Sequence, residues 1–223
     1  PWLMIAGVLT SYYLFIKLDG ITTKPKAGPN NLSWKIALRK MGSVMAPLTA
    51  LIFTRSMVSA ALTTFLPTFL QSEGSTLWVA GASLTILEIS GMVGALLAGS
   101  LSDKFGRRRM LFAAYLVTPI LMFLFVQTTG VLKIPLLILL GFFAISIVPV
   151  MMAVVIENFD DNRSFANGVY MAVSFILQAI ATLLVGLLSD LVDLRFTFLV
   201  SAGLLPLGLL FIKFLPVKIE EKI

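Results

Sequence analysis

The stretch Gly99-Ser-Leu-Ser-Asp-Lys-Phe-Gly-Arg-Arg-Arg-Met-Leu111 is a short basic loop between two long apolar runs. We expect Gly106 to supply a turn with positive φ, and Gly99 to let a helix end approach a neighbour closely. Asp103 is the only carboxylate in a cluster of four cations, so we expect it to pair with Arg107. Basic loops also mark the cytoplasmic side of any multispan protein, and membrane topology alone would explain the charges.

The glycines and the aspartate make the loop more specific than a basic cluster. The stretch resembles the signature loop of the major facilitator superfamily of transporters, which reads G-x-L-x-D-[RK]-x-G-[RK]-[RK]. Seven residues occupy its constrained positions: Gly99, Leu101, Asp103, Lys104, Gly106, Arg107 and Arg108. The resemblance implies the major facilitator fold and a carrier that works by alternating access. It also implies that the loop forms a charge-relay latch on the inner side, with Asp103 as acceptor.

The composition indicates a polytopic, all-α membrane protein. Hydrophobic residues make up 58% of the chain and charged residues 13%, which is far from the balance of a soluble domain. The chain has no cysteine and no histidine, so we expect no disulfide and no metal site. We find no nucleophile with a base and no phosphate-binding loop, so we expect no catalytic residues and no enzyme. The proton gradient is the only coupling agent we expect, with no cofactor.

Seven apolar runs are long enough to span a bilayer, which requires about 20 residues of helix. They are continuously apolar rather than alternating, so we predict helices rather than barrel strands. The runs are Trp2 to Leu18, Val44 to Leu70, Leu77 to Leu101, Met110 to Gln127, Ile134 to Ile156, Phe165 to Leu188 and Phe196 to Leu215.

The distribution of basic residues predicts the orientation. If the signature loop is cytoplasmic, only Lys133 and Arg195 of the 17 Lys and Arg residues fall on the other side, and Arg55 lies in the membrane. Positive charge concentrates on the cytoplasmic side of membrane proteins. We therefore expect a multi-pass protein of the inner or plasma membrane with a cytoplasmic linker and C-terminus. The net charge of +6 is explained in the same way, without a nucleic-acid partner.

The chain starts at Pro1 inside an apolar run, so we expect it to be a piece of a longer one. By the resemblance, residues 1–18 are the last transmembrane helix of a missing N-terminal half and residues 19–43 a basic cytoplasmic linker with an amphipathic helix. Residues 44–216 are the C-terminal six-helix bundle, and residues 217–223 a cytoplasmic tail. The N-terminal six-helix half is then a partner within the same transporter, and the lipid bilayer surrounds both.

Two short repeats of sequence suggest internal symmetry. Gly99-Ser-Leu-Ser-Asp103 at the inner end of the third run recurs as Gly186-Leu-Leu-Ser-Asp190 at the outer end of the sixth. This spacing is expected if the six-helix half consists of two inverted three-helix repeats. Between them, the acidic cluster that starts at Glu157 is expected to open the sixth helix and to offer partners to the signature arginines.

Two ionisable residues lie deep in apolar runs, Arg55 in the second and Glu88 in the third. A charge at the centre of a span costs about 2.5 to 3.5 kcal/mol, so each should face the bundle interior or a watery cavity. We consider an Arg55 to Glu88 pair, because both lie at similar depth on consecutive helices. The functional interpretation is that Arg55 attracts an anionic or polar substrate and Glu88 carries the coupling proton. The structural alternative is an ion pair that locks two helices.

Neutral polar residues, a proline and a stripe of small residues complete the candidate features. Gln178, Asn167 and Tyr170 are expected to line the substrate and proton pathway, or to bond helices together. Pro149 should kink the fifth run, and the resemblance implies that this helix is a gate. A stripe of small residues in the third run predicts close helix packing: Gly91, Gly94, Ala95, Ala98 and Gly99.

The last third of the chain resembles bacterial fosmidomycin-resistance-type exporters, on Arg163-Ser-Phe-Ala-Asn-Gly168, on the second of the two repeats and on the ending Phe-Leu-Pro216. The expected function is therefore a secondary active transporter, a proton-coupled exporter of drug-like or metabolic small molecules. One alternative is an uptake symporter for an organic anion, which Arg55 would suit. The other is a non-transporting membrane scaffold or sensor, in which Arg55 and Glu88 serve packing alone.

Overall fold

The computed structural model describes residues 10–14, 16, 17, 34–159 and 163–215. The chain divides into two compact units, Pro1–Ser33 and Trp34–Ile223. The described residues of the first unit are helical. Those of the second unit form helices joined by short turns, and none of them lies in a β-strand. The predicted all-α fold is confirmed.

The described part of the second unit contains eight α-helices. They are α1 (Trp34–Ser59), α2 (Leu66–Ser72), α3 (Leu77–Phe105), α4 (Arg107–Gln127), α5 (Lys133–Asn158), α6 (Arg163–Leu191), α7 (Leu194–Leu204) and α8 (Leu209–Ile212). A π-helical turn, Ala60–Phe65, joins α1 to α2, and a 3-10 turn, Leu205–Gly208, joins α7 to α8. Each of these two pairs therefore forms one continuous helical segment.

Six helical segments of the described chain are long and apolar enough to cross a membrane. They are Met45–Ser72, Leu77–Phe105, Arg107–Gln127, Gly130–Asn158, Arg163–Leu191 and Leu194–Ile212. Each coincides with one of the last six predicted apolar runs. The first predicted run lies mostly outside the described residues, so the extra helix before the bundle stays a prediction.

The helix α1 differs from the sequence expectation at its start. It begins at Trp34, within the segment predicted as a separate amphipathic helix, and continues without a break to Ser59. Within this helix no proline precedes Pro47, and the single Gly42 costs only about 1 kcal/mol in a helix interior. The second half of the predicted linker is therefore an extension of the first span. The domain boundaries themselves stay predictions.

The packing of the helices repeats after three spans. The helix α3 packs along α5, and the corresponding helix of the second repeat, α6, packs along the first span. In the same way, α4 contacts α5, and its counterpart α7 contacts the first span. The local structure repeats as well, because Ser102 Oγ donates to the Gly99 carbonyl at 2.8 Å and Ser189 Oγ to the Gly186 carbonyl at 2.8 Å. Both observations support two inverted three-helix repeats.

Glycines bring α3 and α5 into direct backbone contact. A Cβ atom added at Gly94 would overlap the carbonyl oxygen of Phe142 and lie 2.9 Å from its Cα. From the other side, a Cβ on Gly141 would overlap the carbonyl oxygen of Leu87. The close approach predicted from small residues is therefore present. A Cβ at Gly99 would meet no described atom within 4 Å, so the close approach expected there stays a prediction.

A buried ion pair joins the predicted outer ends of two spans. Lys133, at the start of α5, pairs with Glu73, which caps α2, and only 11% of the lysine side chain is exposed. Its ammonium nitrogen lies 5.0 Å from the ring centroid of Phe69 and 5.1 Å from that of Phe125. The rings and the carboxylate together compensate the lysine for its lost hydration.

The glycine contact between α3 and α5 predicts the effect of adding one methyl group. Gly94→Ala should lower the free energy of unfolding by about 1 to 3 kcal/mol, because the new Cβ would push on the backbone of α5. Gly81→Ala in the same helix is the matched control, since a Cβ there meets no atom within 4 Å. Chemical unfolding of the complete polypeptide in detergent measures both. Equal stability of the two variants would contradict the packing described here.

Candidate functional site

The signature loop is a tight connection between two long helices. The helix α3 ends at Phe105, α4 begins at Arg107, and Gly106 between them has φ of 90°. The Gly106 amide donates to the Ser102 carbonyl at 3.0 Å, which closes the last turn of α3. The predicted positive φ is confirmed, and only glycine adopts this conformation without strain.

Arg107 is the centre of the polar contacts in the loop. It forms an ion pair with Asp103, as predicted, and its Nε and Nη2 atoms donate to Glu157 Oε1 at 3.0 and 2.7 Å. Its Nη1 atom donates to Ser102 Oγ. Only 14% of the Arg107 side chain is exposed, whereas Asp103 is 62% exposed. The half-buried pair with Glu157 is therefore screened less by water than the pair with Asp103.

The position of Glu157 corrects a sequence expectation. It lies in the last turn of α5 rather than at the start of the next helix, while Asp160 and Asp161 fall outside the described residues. A carboxylate at a helix C-terminus is unfavourable because the helix dipole is negative there. The Arg107 guanidinium supplies the compensating charge, so the signature loop holds the inner end of α5.

The second signature arginine contacts the end of the last span. Arg108 Nη2 donates to the Leu215 carbonyl and, at 3.4 Å, to the Lys213 carbonyl. These carbonyls follow α8 and lack helical donors, as at any helix C-terminus. This contact could not be predicted from the sequence, since nothing in the spacing of residues 108 and 215 indicates it. Lys104 is exposed and has no partner among the described residues.

Arg55 lies in a pocket within the six-helix bundle. The pocket is a small cavity of about 20 Å³ between the first span and helices α3, α4 and α5. The Arg55 Nε atom is buried and has no hydrogen-bond partner among the described residues. Tyr115 and the predicted site residue Tyr170 lie close enough to interact electrostatically with the guanidinium. The structure therefore brings Arg55 and Tyr170 together.

Arg55 and Glu88 do not form the ion pair that we considered from the sequence. The helix α3 presents Leu87 to the Arg55 pocket, and the next residue is rotated by about 100° around the helix. Glu88 consequently lies in a separate open groove, and it has no ion pair among the described residues. Ile145 of α5 lines both spaces and stands between them. Similar depth in the membrane did not predict an ion pair, because the face of the helix on which each residue lies determines which groups meet.

The groove around Glu88 is apolar apart from Thr85. Its other lining residues are Leu84, Ile89, Met92 and Ile145. Glu88 itself is exposed on the surface of the bundle. A carboxylate in the middle of a span is costly against lipid and is tolerated where its face meets water or a polar partner.

The remaining predicted site residues lie along α6 and α5. Tyr170 is 3% exposed, and the buried Oδ1 atom of Asn167 has no hydrogen-bond partner among the described residues. Gln178 is half-buried about two turns further along α6. The helix α5 continues through Pro149, whose missing N–H leaves the Ile145 carbonyl without its helical donor. The kink itself stays a prediction.

Three polar side chains near Arg55 were not predicted from the sequence as part of the site. Thr118 and Ser59 line its pocket, and Tyr115 Oη donates to the Leu51 carbonyl at 2.6 Å. Serine and threonine in a span are usually bonded to their own helix, so their sequence gives no signal of a site. Among the described residues, no group of three or more acidic, cysteine or histidine side chains is placed to hold a metal.

Six apolar spans with a basic connection between the second and third define a multispan membrane protein. The family model described as Major Facilitator Superfamily matches residues 1–131 and, in a second match, residues 81–222. The chain belongs to the Major Facilitator Superfamily, a family of membrane transporters. It is also similar to an uncharacterized protein of Archaeoglobus fulgidus, with 26% identity over 165 residues, which are 73% of this chain and 75% of that protein.

The contacts of Arg107 predict energetic coupling between the loop and α5. In a double-mutant cycle, Arg107→Ala and Glu157→Ala should couple by about 0.5 to 3 kcal/mol in the free energy of unfolding. The control cycle pairs Glu157→Ala with Arg109→Ala, since Arg109 is exposed and has no ion pair among the described residues. It should show coupling near zero. Additive effects in both cycles would show that the loop does not hold α5.

Proposed function

We propose that this chain is the C-terminal part of a proton-coupled secondary transporter that exports drug-like or metabolic small molecules by alternating access. The observation that supports the coupling is Glu88, an exposed carboxylate in the middle of a span without an ion-pair partner among the described residues. In a membrane such a group is tolerated where it faces a watery pathway, and it can then bind and release a proton. Membership of the family indicates a transporter, and Glu88 is the residue that we propose for proton coupling.

The faces of two neighbouring helices support this placement. Between its polar ends, the exposed face of α4 is apolar and suits lipid, with Phe112, Leu116, Ile120 and Phe123 along it. The exposed face of α3 instead carries Thr85 and Glu88 among its apolar residues. A face of mixed polarity suits a cavity wall better than a lipid contact. We therefore assign α3 to the transport pathway, together with Gln178, Asn167 and Tyr170.

The uncovered helices suggest where the rest of the transporter packs. Of the six spans, α3 and α6 have the smallest buried share. We assign these faces to contact with an N-terminal six-helix half and with the cavity between the halves. In this arrangement the linker, the signature loop and the C-terminus are cytoplasmic, in an inner or plasma membrane. The loop is then the inner latch, and the helix α5 with Pro149 is the gate.

A direct test compares Glu88→Gln with the wild type in proteoliposomes that carry the complete polypeptide. Solute gradients should drive proton movement in the wild type, and the variant should fall to the rate of empty liposomes because the amide cannot carry the proton. Asp193→Asn is the matched control, since Asp193 is an exposed carboxylate before α7, and it should keep full coupling. Undiminished proton movement in Glu88→Gln would remove Glu88 from the mechanism.

Arg55 favours a second candidate, proton-coupled uptake of an organic anion. A guanidinium without a carboxylate partner among the described residues attracts an anionic substrate. For this function, Arg55→Gln should abolish uptake of carboxylated solutes, whereas Arg195→Gln at the start of α7 should leave it intact. Radiolabelled uptake by the complete polypeptide measures both variants. Normal uptake of the carboxylated solute by Arg55→Gln would rule out this candidate.

A further inference from the structure

The Arg55 pocket has a distinctive chemistry. Most of its lining is apolar, from the first span, α3, α4, α5 and the 3-10 turn before α8. The polar lining residues are Arg55, Ser59, Thr63 and Thr118. The pocket therefore offers one cation and three hydroxyl groups, and none of its lining residues is a carboxylate.

The positive charge of Arg55 is not balanced by a described carboxylate inside the bundle. It has no ion pair with a described carboxylate, and its buried Nε atom has no hydrogen-bond partner among the described residues. The nearby Tyr115 hydroxyl donates to the Leu51 carbonyl, and no hydrogen bond joins its oxygen to the Arg55 guanidinium. A guanidinium has donors only, so an unpaired one needs an acceptor, preferably a negative one. The described protein does not supply that acceptor.

Thr118 is the second unsatisfied group of the pocket. It is fully buried, at 0% exposure, and its hydroxyl has no hydrogen-bond partner among the described residues. Other span threonines behave differently, since Thr63 Oγ1 donates to the Ser59 carbonyl at 2.8 Å and Thr182 Oγ1 to the Gln178 carbonyl at 2.9 Å. The Thr118 hydroxyl is therefore available as a donor to something within the pocket.

The backbone of the first span is irregular at the pocket. Ser59 lines the pocket and is followed directly by the π-helical turn Ala60–Phe65. Isolated π-helical turns within α-helices are rare and occur frequently at functional sites. The Ser59 hydroxyl has no hydrogen bond to another described residue, so it adds a second free donor next to Arg55.

We infer that the pocket binds a small anion, with Arg55 as its counter-charge and the Thr118 and Ser59 hydroxyls as further donors. The anionic group is a halide or a carboxylate, because these donors line one small, mostly apolar cavity. The site is separate from the Glu88 groove, as Ile145 lies between them. The inference deepens the second candidate function, in which Arg55 attracts an anion, and it does not depend on Glu88 carrying protons.

Anion binding is tested on the complete polypeptide in detergent. The thermal unfolding midpoint is measured at increasing concentrations of chloride or acetate. Ionic strength is held constant with the bulky sulfonate HEPES. Each bound ligand raises the midpoint by stabilising the folded state. We expect the wild type to respond and Arg55→Gln not to respond. A wild-type midpoint independent of both anions would overturn the proposal.

Thr118→Val locates the anion even if Arg55→Gln fails to fold. Loss of one hydrogen bond to an anion should weaken binding by about tenfold. Thr182→Val is the matched control, since that hydroxyl bonds to its own helix, and it should bind as the wild type does. Unchanged affinity in Thr118→Val would contradict the site. A response to chloride identifies a free inorganic ion as a ligand, whereas a response to acetate alone identifies the carboxylate of an organic molecule.

Discussion

The cost of polar groups in hydrocarbon governs this structure. The spans satisfy most of their backbone internally, and most serine and threonine hydroxyls in the described spans donate to their own helix. Charges sit at the helix ends, where they pair or meet water. Arg55, Glu88 and Thr118 depart from this pattern in the middle of spans. Because such groups are costly, they are the positions where function is most directly indicated.

The helix α5 connects the polar clusters at the two ends of the bundle. Its first residue, Lys133, pairs with Glu73, and its last turn carries Glu157, which pairs with Arg107. Between these fixed ends, α5 packs tightly against α3 and contains Pro149. A helix held at both ends and weakened in the middle suits the gate role that we propose. Movement there would change the Arg55 pocket and the Glu88 groove together, because Ile145 lines both.

Much of the fold could be predicted from the sequence, because continuous apolar runs and basic loops follow from the bilayer itself. The Asp103 to Arg107 pair and the turn at Gly106 were also predictable, since both are local. The relation of Arg55 to Glu88 was not, because it depends on which face of α3 packs on α5. The unsatisfied hydroxyl of Thr118 could not be predicted either, because the packing of α4 against other helices decides whether it finds a partner. Contacts between distant helices determine both.

The central claim is that the exposed face of α3 borders water while that of α4 borders lipid. The sequence contains no cysteine, so single cysteines can be introduced in the complete polypeptide once any cysteine elsewhere is replaced. The most direct measurement is the reaction rate of Thr85→Cys and Phe123→Cys with a charged, membrane-impermeant thiol reagent. We expect rapid labelling of Thr85→Cys and none of Phe123→Cys. Equal protection of both positions would contradict it.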